Sequence, residues 1–292
     1  MRKESLDGLG LGALLAVQLL LAFNQVIVKE VNAGLQPVFF AGLRSVLAVI
    51  FVWGFLHWRG LTGRIRRVDL WPGLAMGVTF AFEFLCLFMA LDLTLISRAS
   101  VIFYSMPVWM GILGHFFLPG ERLTPLRALG LALAFAGTAW AVLSRGAGPG
   151  AGSITGDLFA LGAAFGWAFT AFLARKTRLR EAGPEAQLFW MVLVSGPILL
   201  AVSPAFGPLL RDIQPQHWVW LVFQASVVVA GGFVAWLWLL SVYPTTTVAS
   251  FSFLTPLFAI GFGYILYAEP VGWPLLVAFV LVAAGIVLIN RR

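Results

Sequence analysis

Ten long apolar stretches dominate this chain and restrict the folds that are open to it. They cover residues 9–29, 35–57, 70–92, 95–118, 126–144, 157–176, 185–206, 217–240, 247–268 and 273–290. A helix of about 20 apolar residues crosses a bilayer. Here 61% of the residues are hydrophobic and 11% are charged, whereas soluble domains have about 45–50% apolar and about 25% charged residues. The sequence therefore predicts an all-α integral membrane protein with ten transmembrane helices, called spans 1 to 10 below.

The basic residues are distributed unevenly between the two sides that ten spans define. With a cytoplasmic N-terminus, Arg44 lies within span 2, and only Lys29, Arg98, Arg145 and Arg211 fall on the outer side. Every other Lys and Arg falls on the inner side, as the positive-inside rule requires. We therefore expect a multi-pass protein of the inner (plasma) membrane with both termini in the cytoplasm. The net charge of +7 follows from this bias, so no nucleic-acid partner is expected.

The two halves of the chain are similar to each other. Residues 99–107 (ASVIFYSMP) match residues 249–256 (ASFSFLTP), and a glutamate and then a glycine follow at corresponding distances, as Glu121 with Gly137 and Glu269 with Gly285. We predict a first five-helix repeat over residues 1–148 and a second over 149–292. Because five is odd, the second repeat is inverted, as in transporters that hold substrate between their repeats near the midplane. The predicted architecture is two inverted five-helix repeats around a central cavity.

Two ionisable residues lie within spans, where each costs about 2.5–3.5 kcal/mol. Arg44 in span 2 and Glu83 in span 3 lie at similar depths below the outer surface, because each is several helical turns from the outer end of its span. One interpretation is a structural ion pair that joins the two spans. The other is that one or both bind the charged ends of a substrate.

Further polar and aromatic residues within the spans are candidates for a substrate-binding cavity. Buried polar side chains must face protein or water rather than lipid, although hydrogen bonds between helices and core packing are alternative roles. The candidates besides Glu83 are Gln18, Asn24, Gln25, Thr79, Ser100, Tyr104, Trp167, Trp236 and Ser250.

Two prolines occupy matching places in the halves, Pro107 and Pro256. Proline interrupts the helical hydrogen-bond ladder, so we interpret them as paired kinks that shape gates, with static bends as the alternative. The three histidines and the single cysteine, Cys86, are not spaced as a metal site. We expect no metal, no cofactor and no enzymatic activity.

A set of short motifs runs in order along nearly the whole chain. In the first half they are residues 23–29 (FNQVIVK), Pro37 with 42–44 (GLR), 89–91 (MAL), 104–107 (YSMP), 120–121 (GE), Gly130 and Gly137. In the second half they are residues 156–158 (GDL), 166–168 (GWA), 254–256 (LTP), Glu269 and Gly285. With these motifs the chain resembles the drug/metabolite transporter superfamily, in particular its EamA-type ten-helix exporters. The resemblance implies a basket-like arrangement of ten helices and transport by alternating access.

Within that superfamily, the many Trp and Phe residues and the sparse cavity charge are most similar to the aromatic amino-acid exporters of bacterial inner membranes. The leading hypothesis is therefore a monomeric secondary transporter that exports amino acids, aromatic ones included, or similar small metabolites. Its expected partners are the lipid bilayer and a small-molecule substrate, and a proton gradient is left open as its energy source.

Two alternatives stay open. The first is an exporter of cationic or apolar drugs by proton exchange, although the first-helix carboxylate of the small multidrug members is absent here, where Gln18, Asn24 and Gln25 stand. The second is an intramembrane enzyme acting on lipid, which the lack of a catalytic constellation disfavours.

Overall fold

The computed structural model describes residues 7–118, 124–144, 152–243 and 251–290, and these residues are almost entirely helical. The β-structure found in these ranges is an isolated bridge between Leu35 and Leu210. Spans 1 to 3 are the helices Gly8–Asn32, Pro37–Trp58 and Leu70–Leu93. Span 4 consists of Ile96–Phe103 and Met106–Phe117, and spans 5 to 7 are Pro125–Leu143, Ile154–Lys176 and Pro184–Val202. Span 8 consists of Pro215–Phe223, the π-helical segment Gln224–Gly231 and Gly232–Val242, and spans 9 and 10 are Leu254–Tyr267 and Trp273–Asn290.

The predicted set of spans is confirmed by the lengths and hydropathies of these helices. Eight helical segments in the described ranges are long and apolar enough to cross a bilayer, and two shorter apolar helices, Leu254–Tyr267 and Trp273–Ile289, supply the ninth and tenth. The protein is therefore an all-α membrane protein. The predicted start of span 9 at residue 247, the boundary between the repeats at residue 148, and Glu121 lie outside the described residues.

Several spans begin where the sequence favours a helix N-terminus. Pro37 and Pro125 are the first residues of spans 2 and 5, a position where the missing N–H of proline costs nothing. The residue before each proline caps its helix: the Gln36 side chain accepts a hydrogen bond from the Phe39 amide at 2.6 Å, and Thr124 caps span 5 in the same way. These caps explain why the helices start within two residues of the predicted positions.

Span 4 is interrupted at Tyr104 and Ser105, directly before Pro107. Pro107 is the second residue of the following helix, so the break supplies the place where a proline fits without losing a helical hydrogen bond. In span 9 the matching Pro256 lies in the first turn of the helix, after the 3-10 turn Phe251–Phe253. The two prolines thus mark changes of helix geometry, and their role as gates stays a prediction.

The packing of the spans repeats when the two halves are exchanged. Span 2 packs against span 7, span 4 against span 9 and span 5 against span 10, and each of these pairs joins corresponding spans. The contacts of span 3 with spans 6 and 7 have counterparts in the contacts of span 8 with spans 1 and 2. Likewise, span 1 contacts span 9, and span 6 contacts span 4. Two similar five-span repeats produce this pattern, because exchanging the halves reproduces the same helix pairs. Since five is odd, the second repeat is inverted relative to the first.

Glycines allow spans 5 and 10 to approach closely. A Cβ atom on Gly285 would lie 2.5 Å from the Gly130 carbonyl oxygen, and one on Gly137 would lie 2.8 Å from the Ala278 carbonyl oxygen. Small residues at such crossings let backbones approach in membranes, where van der Waals packing drives helix association. The glycines that mark the repeat in the sequence therefore form the contact between its equivalent spans.

We predict that Gly285→Ala destabilises the protein by about 1–3 kcal/mol, because the added methyl group must push spans 5 and 10 apart. Thermal unfolding of the purified protein in detergent measures the effect. Gly54→Ala in span 2 is the matched control, since no described atom lies within 4 Å of the Cβ position there. Unfolding temperatures for Gly285→Ala that equal those of Gly54→Ala would contradict the tight crossing.

Candidate functional site

Arg44 is a buried cation in the half of span 2 that lies on the predicted outer side, and that end of the protein is called the outer end. Arg44 is 2% exposed, and its Cζ atom lies 4.0 Å from the centre of the Phe84 ring and 5.0 Å from that of Phe88. Its Nε and Nη2 atoms have no hydrogen-bond partner among the residues that the structure describes. Aromatic faces stabilise a guanidinium, but they do not replace acceptors for its N–H groups. Arg44 is therefore a desolvated charge with unused hydrogen-bonding capacity.

Glu83 is a buried anion on span 3, next to Arg44 in the packing of the spans. It is 2% exposed, and the Thr170 hydroxyl of span 6 donates to its Oε2 atom at 3.4 Å. Gly166 explains how span 6 approaches so closely, since a Cβ atom there would lie 3.0 Å from the Glu83 Cα atom.

The predicted ion pair between Arg44 and Glu83 is not formed in this conformation. Within the described ranges, which include both residues, the ion pairs do not include one between them. The physical reason is the direction of the Arg44 side chain, which lies over the rings of Phe84 and Phe88. Arg44 lies about 10 Å and Glu83 about 15 Å below the outer ends of their helices, at 1.5 Å of rise per residue. Both charges are thus held within the hydrocarbon layer without a direct partner of opposite sign.

Span 1 contributes the predicted amide side chains, and two of them reach other spans. Gln25 donates through Nε2 to the Ser100 hydroxyl at 3.2 Å, and Gln18 accepts a hydrogen bond from the Thr255 hydroxyl. Tyr104 is buried and interacts with the same threonine. These contacts join spans 1, 4 and 9.

Several amide atoms of span 1 are left without partners. Gln18 Nε2, Asn24 Oδ1 and Gln25 Oε1 are all buried and have no hydrogen-bond partner in the described part of the chain. The interhelical hydrogen bonds considered from the sequence are therefore present, but they leave donors and acceptors of the same side chains available to a ligand.

Gln224 is a candidate that the sequence analysis missed. It begins the π-helical segment of span 8, is fully buried, and donates through Nε2 to the Asn24 backbone carbonyl at 3.3 Å. Its Oε1 atom accepts no hydrogen bond from any described residue. π-Helical segments within α-helices are frequent at functional sites. The signal that could have found Gln224 is a lone amide in an apolar run, which was used for span 1 and not for span 8.

Other predicted residues are not brought to this group. Thr79 donates to the Ala75 carbonyl of its own helix, and Trp236 packs with Leu14 and Leu239 in a separate apolar cluster. Trp167 is 38% exposed, because adjacent helical residues point about 100° apart and Gly166 is the one that faces Glu83. Ser250 lies outside the described residues.

A network of buried charges closes the outer end of the protein above this group. Arg98 of span 4 pairs with Asp157 of span 6 at 2.5 Å and donates to the Ala141 carbonyl at 2.6 Å. Glu269, after span 9, accepts hydrogen bonds from the backbone amides of Ile96 and Ser97 at 2.7 and 3.0 Å. A carboxylate at a helix N-terminus satisfies its free N–H groups and interacts favourably with the helix dipole. From the sequence, Arg98 is predicted only to lie on the outer side, and Glu269 is only a marker of the repeat.

The outer closure continues through Arg211, which lies between spans 7 and 8. Its guanidinium makes hydrogen bonds of 2.7 and 3.0 Å to Asp92 of span 3 and also donates to the Asn32 carbonyl at 2.7 Å. Lys29 lies nearby and donates to the Thr94 carbonyl at 2.8 Å. The contacts of Arg98 with Asp157, of Glu269 with span 4 and of Arg211 with Asp92 join the two halves directly, so the outer end is closed in this conformation.

A cavity of about 260 Å³ lies away from Arg44, between spans 4, 5 and 6. Its walls are apolar and include Trp109, Phe135, Leu143 and Leu161. Arg44 and Glu83 are each 2% exposed in this conformation, so a ligand reaches them only after the helices move.

The arrangement of spans and the comparisons with known proteins lead to the same assignment. The model of the EamA-like transporter family matches residues 8–143 and again residues 154–291. The uncharacterized transporter YvbV of Bacillus subtilis (strain 168) is 29% identical, with 94% of this chain and 91% of the relative covered. The uncharacterized transporter YoaV of the same organism is 20% identical, with 94% of each chain covered.

Two further matches agree with the fold. The WAT1-related protein At3g02690, chloroplastic, of Arabidopsis thaliana is 26% identical over 91% of this chain and 65% of its own length. A solved crystal structure shares the fold with a TM-score of 0.65 at 18% identity, over 95% of both chains. The resemblance to EamA-type transporters is confirmed by the two family matches, one to each repeat. This chain belongs to the EamA-like transporter family and is a multi-pass membrane transporter of small molecules.

Proposed function

We propose that this transporter moves amino acids, aromatic ones included, or similar small zwitterionic metabolites, and that Arg44 and Glu83 bind their charged ends. The observation that carries the proposal is the pair of buried opposite charges on neighbouring spans that do not bind each other. Such a pair is costly to keep in the bilayer. A zwitterion supplies one opposite charge to each of them.

The geometry of Arg44 favours a carboxylate. Its two unpartnered atoms, Nε and Nη2, lie on the same edge of the guanidinium, and their N–H groups form the fork that binds both oxygens of a carboxylate. Leaving these donors buried and unsatisfied costs about 1–3 kcal/mol or more for a charged group. Binding of a substrate carboxylate recovers this free energy.

Spans 1, 3 and 8 pack against span 2, which carries Arg44, and they carry acceptors that suit an ammonium group. Glu83 accepts one long hydrogen bond from Thr170, and the Oε1 atom of Gln224 and the Oδ1 atom of Asn24 are unused by the described residues. Phe84 and Phe88, which flank the guanidinium, present apolar faces beside the charged group. This combination of carboxylate fork, acceptors and aromatic faces supports amino acids as the substrate class.

The closed outer end supports alternating access. Substrate bound near Arg44 is released outward only if the contacts of Arg98 with Asp157 and of Arg211 with Asp92 separate. Inner connections are joined by more exposed pairs such as Arg64 with Glu185, which cost less to break. We infer a monomeric exporter of the bacterial inner membrane with both termini cytoplasmic, in which opening of the outer network completes the cycle. A proton gradient is a candidate energy source.

A second candidate function is the export of cationic drugs in exchange for protons. It is favoured by one observation, the weak hydrogen bonding of the Glu83 carboxylate, which leaves it able to bind either a cation or a proton. The nearby Arg44 charge opposes a cation without a carboxylate. We therefore rank this function second.

A counterflow screen tests the substrate class. Purified protein in liposomes is loaded with each of the twenty amino acids in turn, and uptake of the labelled compound is measured with and without a pH gradient. We expect counterflow of a subset that includes aromatic amino acids. Counterflow of organic cations alone would overturn the proposal in favour of drug export.

Replacing Arg44 by lysine or glutamine should raise the Michaelis constant for the transported amino acid at least tenfold. Loss of a charge-assisted hydrogen bond costs about 1.5–3 kcal/mol, and lysine cannot reproduce the bidentate fork. Initial rates of counterflow give the constant, with the half-buried Arg127 of span 5 changed to glutamine as control. If wild type and Arg44→Gln transport the amino acid with equal constants, Arg44 does not bind the substrate.

Glu83→Gln tests the other end of the substrate with an isosteric change. We expect weaker binding of the amino acid, about tenfold or more, because the amide removes the charge that attracts the ammonium group. The deaminated acid of the same side chain should compete equally well with wild type and variant in the same assay. A variant that loses both ligands equally would assign Glu83 a structural role.

A further inference from the structure

The connections between spans 2 and 3 and between spans 6 and 7 form one surface on the side predicted to be cytoplasmic. Arg64 pairs with Glu185 at 2.9 Å, and Arg66 lies 3.7 Å from Glu181, so ion pairs join the two connections. Ile65 packs with Leu179 in a shared apolar cluster. The two connections are thus held together as one element, here called the inner basic surface and defined as residues 57–71 and 175–185.

The charge of the inner basic surface is strongly positive. It contains eight basic residues and three acidic ones, Asp69, Glu181 and Glu185. All three acids are already engaged by Arg64 and Arg66. The exposed Arg59, Arg67, Arg178 and Arg180 have no acidic partner within the described ranges. These four side chains are available to an external anion.

Two exposed tryptophans show where this surface lies relative to the membrane. Trp58 ends span 2 and Trp71 begins span 3, and each is 78% exposed. Tryptophan is enriched at the level of the lipid head groups. Arg59 directly follows Trp58, and Arg67 lies one turn before Trp71. Of the four free arginines, Arg59 and Arg67 are therefore located at head-group depth, next to the aromatic anchors.

We propose that the inner basic surface binds the head groups of anionic phospholipids. Clusters of four to eight Lys and Arg directly beside a transmembrane helix attract anionic lipids, and arginine binds phosphate through two parallel N–H groups. The positive-inside rule explains why basic residues lie on this side. The positive-inside rule does not explain why the three acids form ion pairs with Arg64 and Arg66 while the arginines beside Trp58 and Trp71 have no acidic partner among the described residues.

Native mass spectrometry of the full chain tests the proposal. The protein is released from micelles that contain equal amounts of phosphatidylglycerol and phosphatidylcholine, and the retained lipids are counted. Wild type should retain phosphatidylglycerol preferentially. Arg67→Gln should lower the ratio of the retained lipids about fivefold, and adding Arg59→Gln should lower it about fivefold again, as expected from about 1 kcal/mol per basic residue. Arg127→Gln, at a half-buried arginine of span 5 outside the surface, should leave the ratio unchanged.

Three results would overturn the proposal. The first is equal retention of both lipids by wild type. The second is an equal decrease of the ratio of retained lipids in Arg67→Gln and Arg127→Gln. The third is displacement of phosphatidylglycerol by inorganic phosphate, which would indicate a site for free phosphate instead. Arg59 and Arg67 are exposed and Arg127 is half-buried, and unchanged retention of phosphatidylcholine verifies that the variants are folded.

Discussion

In a bilayer, every polar group that leaves water needs a partner inside the protein, and this requirement governs the structure. Many buried polar groups have one: Arg98 binds Asp157, Glu269 binds the start of span 4, and Asn32 binds the Phe88 carbonyl. Each such contact also joins two spans, so polar satisfaction and helix packing support each other. Single atoms of several uncharged side chains, such as Gln18 and Gln224, have no partner in the described part of the chain, and Arg44 has two such nitrogens on a charged group. We attribute the unpartnered charge of Arg44 to function.

The two halves share their helix pairing but differ in chemistry. The buried ions of the candidate site, Arg44 and Glu83, both belong to the first half, while the second half contributes Gln224 from its π-helical segment and Thr170 from span 6. Duplication with inversion provides the basket of helices, and divergence of the halves provides an asymmetric site. An asymmetric site suits a substrate with two different ends. The glycine contacts between spans 5 and 10 keep the symmetric framework together while the polar side chains differ.

Much of the fold could be predicted from hydropathy because each span has to be long and apolar regardless of its neighbours. Gly137 and Gly285, which occupy matching positions in the two repeats, likewise lie at the crossing of spans 5 and 10. The site was less predictable, since side-chain direction depends on packing: Trp167 and Gly166 are neighbours in sequence, yet Gly166 faces Glu83 and Trp167 is exposed. Gln224 could have been found as a lone amide in the apolar run of span 8, but its π-helical setting could not be read from the sequence. The roles of Arg98, Asp157 and Glu269 depend on tertiary contacts that no local pattern reveals.

Chemical labelling at position 44 tests most directly whether this residue lies in a substrate pathway. Cys86 is the only cysteine in the sequence, so Arg44→Cys can be studied in a Cys86→Ala background with a water-soluble, positively charged thiol reagent. We expect labelling in proteoliposomes and protection by the transported amino acid at a concentration at least tenfold above the one that saturates the wild type, because the variant lacks the carboxylate fork of Arg44. Complete resistance to the reagent, or labelling that the amino acid leaves unchanged, would contradict this expectation.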